Sequence, residues 1–217
     1  MTLKRERIVV AVDDTDDLTK ATSTGAIAQM IADEVPRCGG TVELGITRHQ
    51  LLVDDAVPYT SHNSSMAFSA LVPADMVDVL RDRAERCIAE TRAATSDPGL
   101  CIARVPTSWS GQTADLFAFG HAAQEVYCAK ERAWSVADAI GWIELAEQGG
   151  DGMGIVGALA GVALRLEGMS GRFRGKWDLA ARLGVPADAR ISVGDACAAF
   201  ASRLDGPVRI VDVEDMP

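Results

Sequence analysis

The sequence lacks a long hydrophobic run and any closely spaced pair of cysteines. No apolar stretch approaches the roughly 20 residues that cross a bilayer, and the N-terminus does not have the pattern of a signal peptide. The five cysteines form no CxxC pair and the three histidines are far apart, so structural zinc is not expected. These absences predict a cytoplasmic protein with reduced thiols and no membrane partner.

Positive charge is also scarce. The chain of 217 residues has 21 Lys and Arg against 31 Asp and Glu, a net charge of −10. Such an acidic surface repels a phosphate backbone, so tight autonomous binding of nucleic acid is not expected. The glycine- and arginine-rich stretch 168–175 is the exception, and it is interpreted as either a mobile loop or a local basic spot.

Composition excludes the disordered and fibrous classes. Hydrophobic residues make up 48% of the chain and charged residues 24%, as in ordinary globular proteins. The first half alternates between strand and helix patterns in the order strand, helix, strand, strand, helix, strand. The strands are predicted at 8–12, 42–46 (with a possible continuation at 51–53), 66–72 and 100–105, and the helices at 27–35 and 77–91. This order is typical of a ferredoxin-like α+β fold, βαββαβ.

The second half has mostly helical periodicity. Helices are predicted at 114–132, 136–147 and 155–166, with a weaker one at 177–183, a last one at 192–200 and a closing strand at 208–211. We therefore expect a ferredoxin-like region over 1–106 and a mostly helical region over 107–217 packed on it, sharing one core.

An acidic cluster follows the first predicted strand. It consists of Asp13, Asp14, Thr15, Asp16 and Asp17. Mg²⁺ is usually held by one or two carboxylates together with phosphate oxygens and water, so this cluster suits a site for Mg²⁺ and phosphate. The alternative interpretation is a solvated turn rich in Asp.

Hydroxyl side chains open the next predicted helix. Thr22, Ser23 and Thr24 precede Gly25, where backbone N–H groups and the positive end of the helix dipole favour a phosphate. Simple N-capping is the alternative, but a cap needs one such residue. Together with the acidic cluster, this helix start predicts nucleotide binding.

Two further segments have weaker patterns. Gly152 and Gly154 lie in a glycine-rich entry to a helix, which resembles a phosphate loop but lacks the complete dinucleotide and Walker A motifs; close helix packing is the alternative. His62 and Asn63 lie in a polar loop between predicted strands. His62 is interpreted as a general base, a phosphate donor or an ordinary loop histidine.

Three of these segments resemble, in the same order, motifs of the TiaS family, archaeal enzymes that attach agmatine to a cytidine of an isoleucine tRNA. The stretch 8–25 resembles the family's catalytic Asp-Asp-Thr-Asp region. The stretch 58–65 resembles its Pro-Tyr-Lys-Thr-Arg-Gly-Asn-Gly loop, and 152–160 resembles its Gly-x-Gly-x-Ile-Gly-Ala-Leu-Ala stretch.

The resemblance implies an enzyme that uses ATP and Mg²⁺ and activates a carbonyl oxygen by phosphoryl transfer. It implies that Asp13, Asp14 and Asp16 hold metal and phosphates. The residues predicted to bind the cofactor are Thr15, Thr22, Thr24, Gly25, His62, Asn63, Gly152 and Gly154. Ser23 lies where the family has a phosphorylatable threonine, and Gly152 and Gly154 match its second glycine pair. The loop differs, with Thr60, Ser61 and His62 in place of Lys, Thr and Arg and with Asn63 one place early, and the family's OB-fold and zinc ribbon are not expected here.

The first hypothesis for function is an ATP- and Mg²⁺-dependent phosphotransferase or ligase-like enzyme. Its acceptor is unidentified, either a small molecule, a nucleotide or RNA presented by a partner. A non-catalytic nucleotide-binding sensor or scaffold is one alternative. Modification of a tRNA cytidine with a separate RNA-binding partner is the other, and a homo-oligomer is also compatible with the sequence.

Overall fold

A computed structural model describes residues 4–17, 22–54, 63–108 and 113–174. The first half contains, in chain order, β1 (Arg5–Asp13), α1 (Thr24–Glu34), β2 (Thr41–Gln50), β3 (Ser64–Pro73), α2 (Val77–Thr91) and β4 (Gly99–Val105). The second half contains α3 (Ala114–Glu125), α4 (Lys130–Ile140), β5 (Ile143–Glu147), α5 (Gly154–Glu167) and β6 (Arg172–Phe173). Two short 3₁₀ helices, Pro36–Cys38 and Ala74–Met76, precede β2 and α2.

The six strands form one antiparallel sheet in the order β5-β4-β1-β3-β2-β6. The central order β4-β1-β3-β2, joined by α1 and α2, is the ferredoxin-like arrangement, so the predicted fold class is confirmed. None of the helices in the described ranges is long and apolar enough to span a membrane.

Both faces of the sheet are covered, which explains why β1 is continuously apolar. Ile8, Val10 and Val12 pack with α1 and α2 in one core cluster. Val9 and Ala11 point the other way, into a second cluster with α3, α4 and α5. A strand that is buried on both faces has no polar positions in its centre.

Several boundaries differ from those predicted. The pattern predicted as one helix over 114–132 is two helices, since α3 ends at Glu125 and α4 begins at Lys130. The predicted helix 136–147 is wrong, because Gly141 adopts a left-handed conformation (φ 72°) that ends α4. The following residues then form β5, paired with β4. β2 ends at Gln50 and does not continue over 51–53.

Part of the stretch 168–175 is ordered as β6 and is paired with β2 through Arg48↔Arg172 and Thr47↔Phe173. The elements predicted at 177–183, 192–200 and 208–211 lie outside the described residues.

Candidate nucleotide site

Three chain segments meet at one edge of the sheet. The register pairs Asp13, at the end of β1, with Gly99 at the start of β4, and Gly99 with Glu147 at the end of β5. The antiparallel sheet therefore places the acidic segment 13–17 beside residues 97–99 and beside the glycine-rich loop that follows β5.

Asp13 is buried against a glycine of α5. Its side chain and backbone together are 8% exposed. A Cβ built on Gly157 would lie 1.6 Å from Asp13 Oδ2, so only glycine leaves space for this carboxyl group. Burial, and then the negative charge of Asp14, raise the pKa of Asp13 to about 7.

Asp14 has a strained backbone. Its φ of 50° lies in the left-handed region, which is uncommon for a residue other than glycine and is often found at functional sites. Burial and the negative charges of Asp97 and Asp16 raise its pKa to about 6, against a hydrogen bond from the Asp97 backbone that lowers it. A cluster whose carboxylates repel one another in this way favours a bound cation.

Asp97 and Asp151 complete the acidic cluster, and sequence reasoning missed both. The Asp151 N–H donates to Asp97 Oδ1 at 3.0 Å. Burial, and then a hydrogen bond with the Asp151 carboxyl group, raise the pKa of Asp97. The ferredoxin-like strand order was a usable signal for Asp97, because it places residues that precede the fourth strand beside the end of the first.

The acidic motif also contacts the start of α1. Thr15 Oγ1 donates to Thr24 Oγ1 at 3.0 Å, and the Thr24 N–H donates to Asp16 Oδ2 at 3.3 Å. Ser23 is the N-cap, with its Oγ accepting from the Ala26 N–H at 3.3 Å. The structure thus brings together the two segments from which nucleotide binding was predicted.

The motif is connected to the end of α2 as well. The Ala93 N–H donates to the Thr15 carbonyl oxygen at 3.0 Å, and Thr95 Oγ1 donates to Asp17 Oδ2 at 2.7 Å. The segment between α2 and β4 is therefore fixed to the acidic motif by a backbone and a side-chain hydrogen bond.

The glycine-rich loop packs closely on this cluster. The Gly154 N–H donates to the Asp97 carbonyl oxygen at 3.0 Å, and Gly152 is left-handed, with φ 80°. Gly157 and Gly161 of α5 touch Asp13 and Ser65, so the close packing that the alternative interpretation predicts is present. The same packing puts Gly152 and Gly154 at the edge that carries the carboxylates.

The polar loop between β2 and β3 is described only in part. His62 lies outside the described residues. Asn63 Nδ2 donates to the Leu52 carbonyl oxygen at 2.8 Å, and the Asn63 carbonyl oxygen accepts from the Leu51 N–H at 2.9 Å. These bonds fix the chain where β2 ends and β3 begins. A role of either residue in cofactor binding stays a prediction.

Within the described ranges, no group of three or more His, Cys, Asp or Glu side chains is arranged to hold a metal ion. A magnesium ion bound with a nucleotide needs only one or two protein carboxylates, because phosphate oxygens and water supply the other ligands. The oxygen donors of Asp13 and Asp14, with their raised pKa values, fit such an ion.

No protein-family model matches the chain, and no curated protein matches it significantly. Solved structures do. A complex of TiaS with an isoleucine tRNA and ATP is 25% identical with a TM-score of 0.61 and covers 73% of this chain. A tRNA fluorescent labeling enzyme is 25% identical with a TM-score of 0.61 and covers 72%. A complex of TiaS with the same tRNA, AMPCPP and agmatine is 24% identical with a TM-score of 0.60, also over 72%.

The matched region is 36% of the length of each of these three enzymes, so the chain corresponds to about a third of them. Two of these three structures are TiaS enzymes, the family that the three sequence motifs resemble, and all three share the fold of this chain. The resemblance predicted from three collinear motifs is thus confirmed: this chain is similar to a region of the TiaS tRNA-modifying enzymes.

Proposed function

We propose that this chain is an ATP-using enzyme that modifies RNA, with a tRNA as the class of acceptor. The observation that carries the proposal is the contact of the acidic motif with the hydroxyl-rich start of α1, which Thr15 and Asp16 make through Thr24. Asp13 and Asp14, both with raised pKa values, lie in the same motif. The similarity to a region of an enzyme solved with both tRNA and ATP supports the same assignment.

Asp13 and Asp14 are the proposed ligands of a magnesium ion bound with the triphosphate, and a metal-binding role of Asp16 stays a prediction. When bound, this ion neutralises phosphate charge and so lowers the barrier to phosphoryl transfer. The chain's own part is to position these groups. Gly157 leaves the space in which the Asp13 carboxyl group lies at the end of β1, and Asp16 fixes the motif to the first turn of α1 through the Thr24 N–H.

The backbone at Gly25 and the hydroxyl of Ser23 lie at the positive end of the α1 dipole, where phosphate oxygens are favoured. Gly152 leaves room for the Glu147 carboxyl group and Gly154 for the backbone of residues 97–99, so the loop after β5 packs closely against the same edge. Phosphoryl transfer depends mainly on position and charge neutralisation, and both are available here.

Asp14→Asn tests the proposal. Asparagine tolerates the left-handed region as well as aspartate does, so the fold should persist. The loss of one carboxylate should lower ATP turnover by about 100-fold or more, since a lost electrostatic contact to the reacting group has effects of this size. Turnover is measured as phosphate released with Mg²⁺, ATP and total tRNA.

Asp138→Asn is the matched control, because Asp138 is an exposed aspartate of α4 and the change in charge is the same. This variant should turn over ATP at the wild-type rate. Full turnover in Asp14→Asn would remove that carboxylate from the mechanism and contradict the proposal.

Two substitutions of Ser23 distinguish a role as N-cap from a role as phosphate ligand. Ser23→Ala should cost about 1 kcal/mol in the free energy of unfolding, whereas Ser23→Asp should cost little, because aspartate is an equally good N-cap. We expect Ser23→Asp to weaken ATP binding by about tenfold or more, since its carboxylate repels the triphosphate. Urea unfolding and ATP titration calorimetry measure the two effects. Unchanged ATP affinity in Ser23→Asp would mean that Ser23 is only a cap.

A further inference from the structure

Positive charge collects at the β2–β6 edge of the sheet, away from the strands that carry the acidic cluster. Arg48 of β2 lies directly opposite Arg172 of β6, and Arg174 follows β6, with its N–H donating to the Ile46 carbonyl oxygen at 2.8 Å. We call Arg48, Arg172 and Arg174 the arginine patch. Arg172 and Arg174 are exposed and Arg48 is half-buried.

The arginines of the patch have no acidic partner in the part of the chain that the structure describes. Among the described residues, none of its three members forms a salt bridge, whereas five other arginines do: Arg7, Arg37, Arg81, Arg83 and Arg104. On a chain with a net charge of −10, three neighbouring arginines with no ion pair to a described residue favour the binding of an anion.

The patch lies on the α1 face of the sheet and reaches the proposed phosphate site. Side chains alternate along a strand, so Arg48 shares a face with Ile46, which packs in the α1 and α2 core. Arg172, opposite Arg48, and Arg174, two residues further on, point the same way. Arg174 Nε lies 2.8 Å from the position that a Cβ on Gly25 would take, at the first turn of α1.

One row of paired residues crosses the sheet from the end of β1, near the acidic cluster, to the arginine patch. The register runs from Val12 of β1 through Met66 and Arg48 to Arg172. Neighbouring strands are about 4.8 Å apart, so β1 and β6 are separated by roughly 14 Å. A short single-stranded segment of nucleic acid covers that distance.

Resting on the proposed function, we infer that the arginine patch binds the phosphodiester backbone of a single-stranded segment of the acceptor RNA and directs it toward the acidic cluster. Arginine suits this role because its planar guanidinium pairs with two phosphate oxygens at once. The acidic remainder of the surface then limits RNA contact to this place, which agrees with the weak autonomous binding expected from the composition.

The test uses the double variant Arg48→Gln/Arg172→Gln and a fluorescein-labelled 12-nucleotide oligouridylate, with binding followed by anisotropy over a range of salt concentrations. Each phosphate contact to a single strand contributes about 0.7 to the slope of log K against log salt. We expect the slope to become shallower by about 1.4 and the affinity at 0.1 M salt to fall about 25-fold.

Arg5→Gln/Arg86→Gln is the matched control, since it removes the same charge from exposed positions on β1 and α2. This variant should bind RNA within about twofold of wild type if direct contacts dominate. Arg48→Lys/Arg172→Lys keeps the charge and should keep the wild-type salt slope with a smaller loss of affinity than Arg48→Gln/Arg172→Gln, which separates loss of charge from loss of fold.

Failure of this inference is distinguishable from failure of the proposed function. Wild-type binding by Arg48→Gln/Arg172→Gln, or no binding by the wild-type chain at 0.05 M salt, would overturn the RNA surface, whether or not ATP turnover depends on Asp14. Tighter binding of a polyglutamate peptide than of the oligouridylate would also overturn it, in favour of an acidic protein partner. The proposed function, in contrast, is contradicted if ATP turnover is absent or does not depend on Asp14.

Discussion

Asp13→Asn should make the protein more stable at pH 8 and leave it without ATP turnover. Burial raises the pKa of Asp13 to about 7, above the value of 3.8 for the free side chain. Well below pH 3.8 the carboxyl group is protonated in both the folded and the unfolded chain. Between pH 4 and pH 7 the unfolded chain ionises first, so the free energy of unfolding falls as pH rises.

Asparagine has no charge to bury, so the stability gap between Asp13→Asn and wild type should grow from near zero at pH 4 to on the order of 4 kcal/mol above pH 7. Urea unfolding at pH 4 and pH 8 measures it. Mg²⁺ at pH 8 should narrow the gap by stabilising only the wild type, because a bound cation offsets the buried charge.

The exposed variant Asp138→Asn should show no such pH-dependent gain. If Asp13→Asn proves less stable than wild type at pH 8 without Mg²⁺, the ionised carboxylate is stabilised by the fold and the assignment of a raised pKa is wrong.

Gly157→Ala has the second large expected effect. In most helices alanine is more stable than glycine by about 1 kcal/mol. Here the added methyl would lie 1.6 Å from Asp13 Oδ2, so the carboxyl group must leave its position. Overpacking of this kind costs about 1–3 kcal/mol. We therefore expect Gly157→Ala to lower both the free energy of unfolding and the ATP turnover.

The same substitution in an Asp13→Ala background should have the opposite sign. With the carboxyl group gone, the methyl has space, and the helix preference should stabilise the double variant relative to Asp13→Ala by up to about 1 kcal/mol. Equal effects of Gly157→Ala in both backgrounds would show that the two residues do not interact.

Local patterns were sufficient for the ferredoxin-like half. Each of its strands and helices has its own apolar periodicity, and β1 shows its burial on both faces as an unbroken apolar run from Ile8 to Val12. β5 was missed because Val136, Ile140 and Ile143 continue a helical spacing past Gly141. Residues 143–147 form a strand because they pair with β4, and no local sequence pattern indicates that pairing. The two residues of β6 likewise depend on β2.

The candidate site was likewise predictable only where its residues lie close together in the sequence. Asp13, Asp14 and Asp16 lie in one contiguous motif, and Thr24 follows within one loop, so their association is local. Asp97 and Asp151 join them only through the antiparallel order of β1, β4 and β5. Close helix packing was the alternative interpretation of the glycine-rich helix entry, and the proximity of Gly157 to Asp13 shows that packing and the site are the same feature here.

The hydrogen bonds from Ala93 and Thr95 to the acidic motif have a consequence beyond the site. They link the loop that is proposed to hold the nucleotide to the segment that directly follows α2. When a ligand immobilises Thr15 and Asp17, the backbone near Ala93 should open less often, and its amide protons should exchange more slowly with solvent. Binding of a ligand at the acidic motif is thereby transmitted through the backbone to the segment behind a helix on one broad face of the sheet.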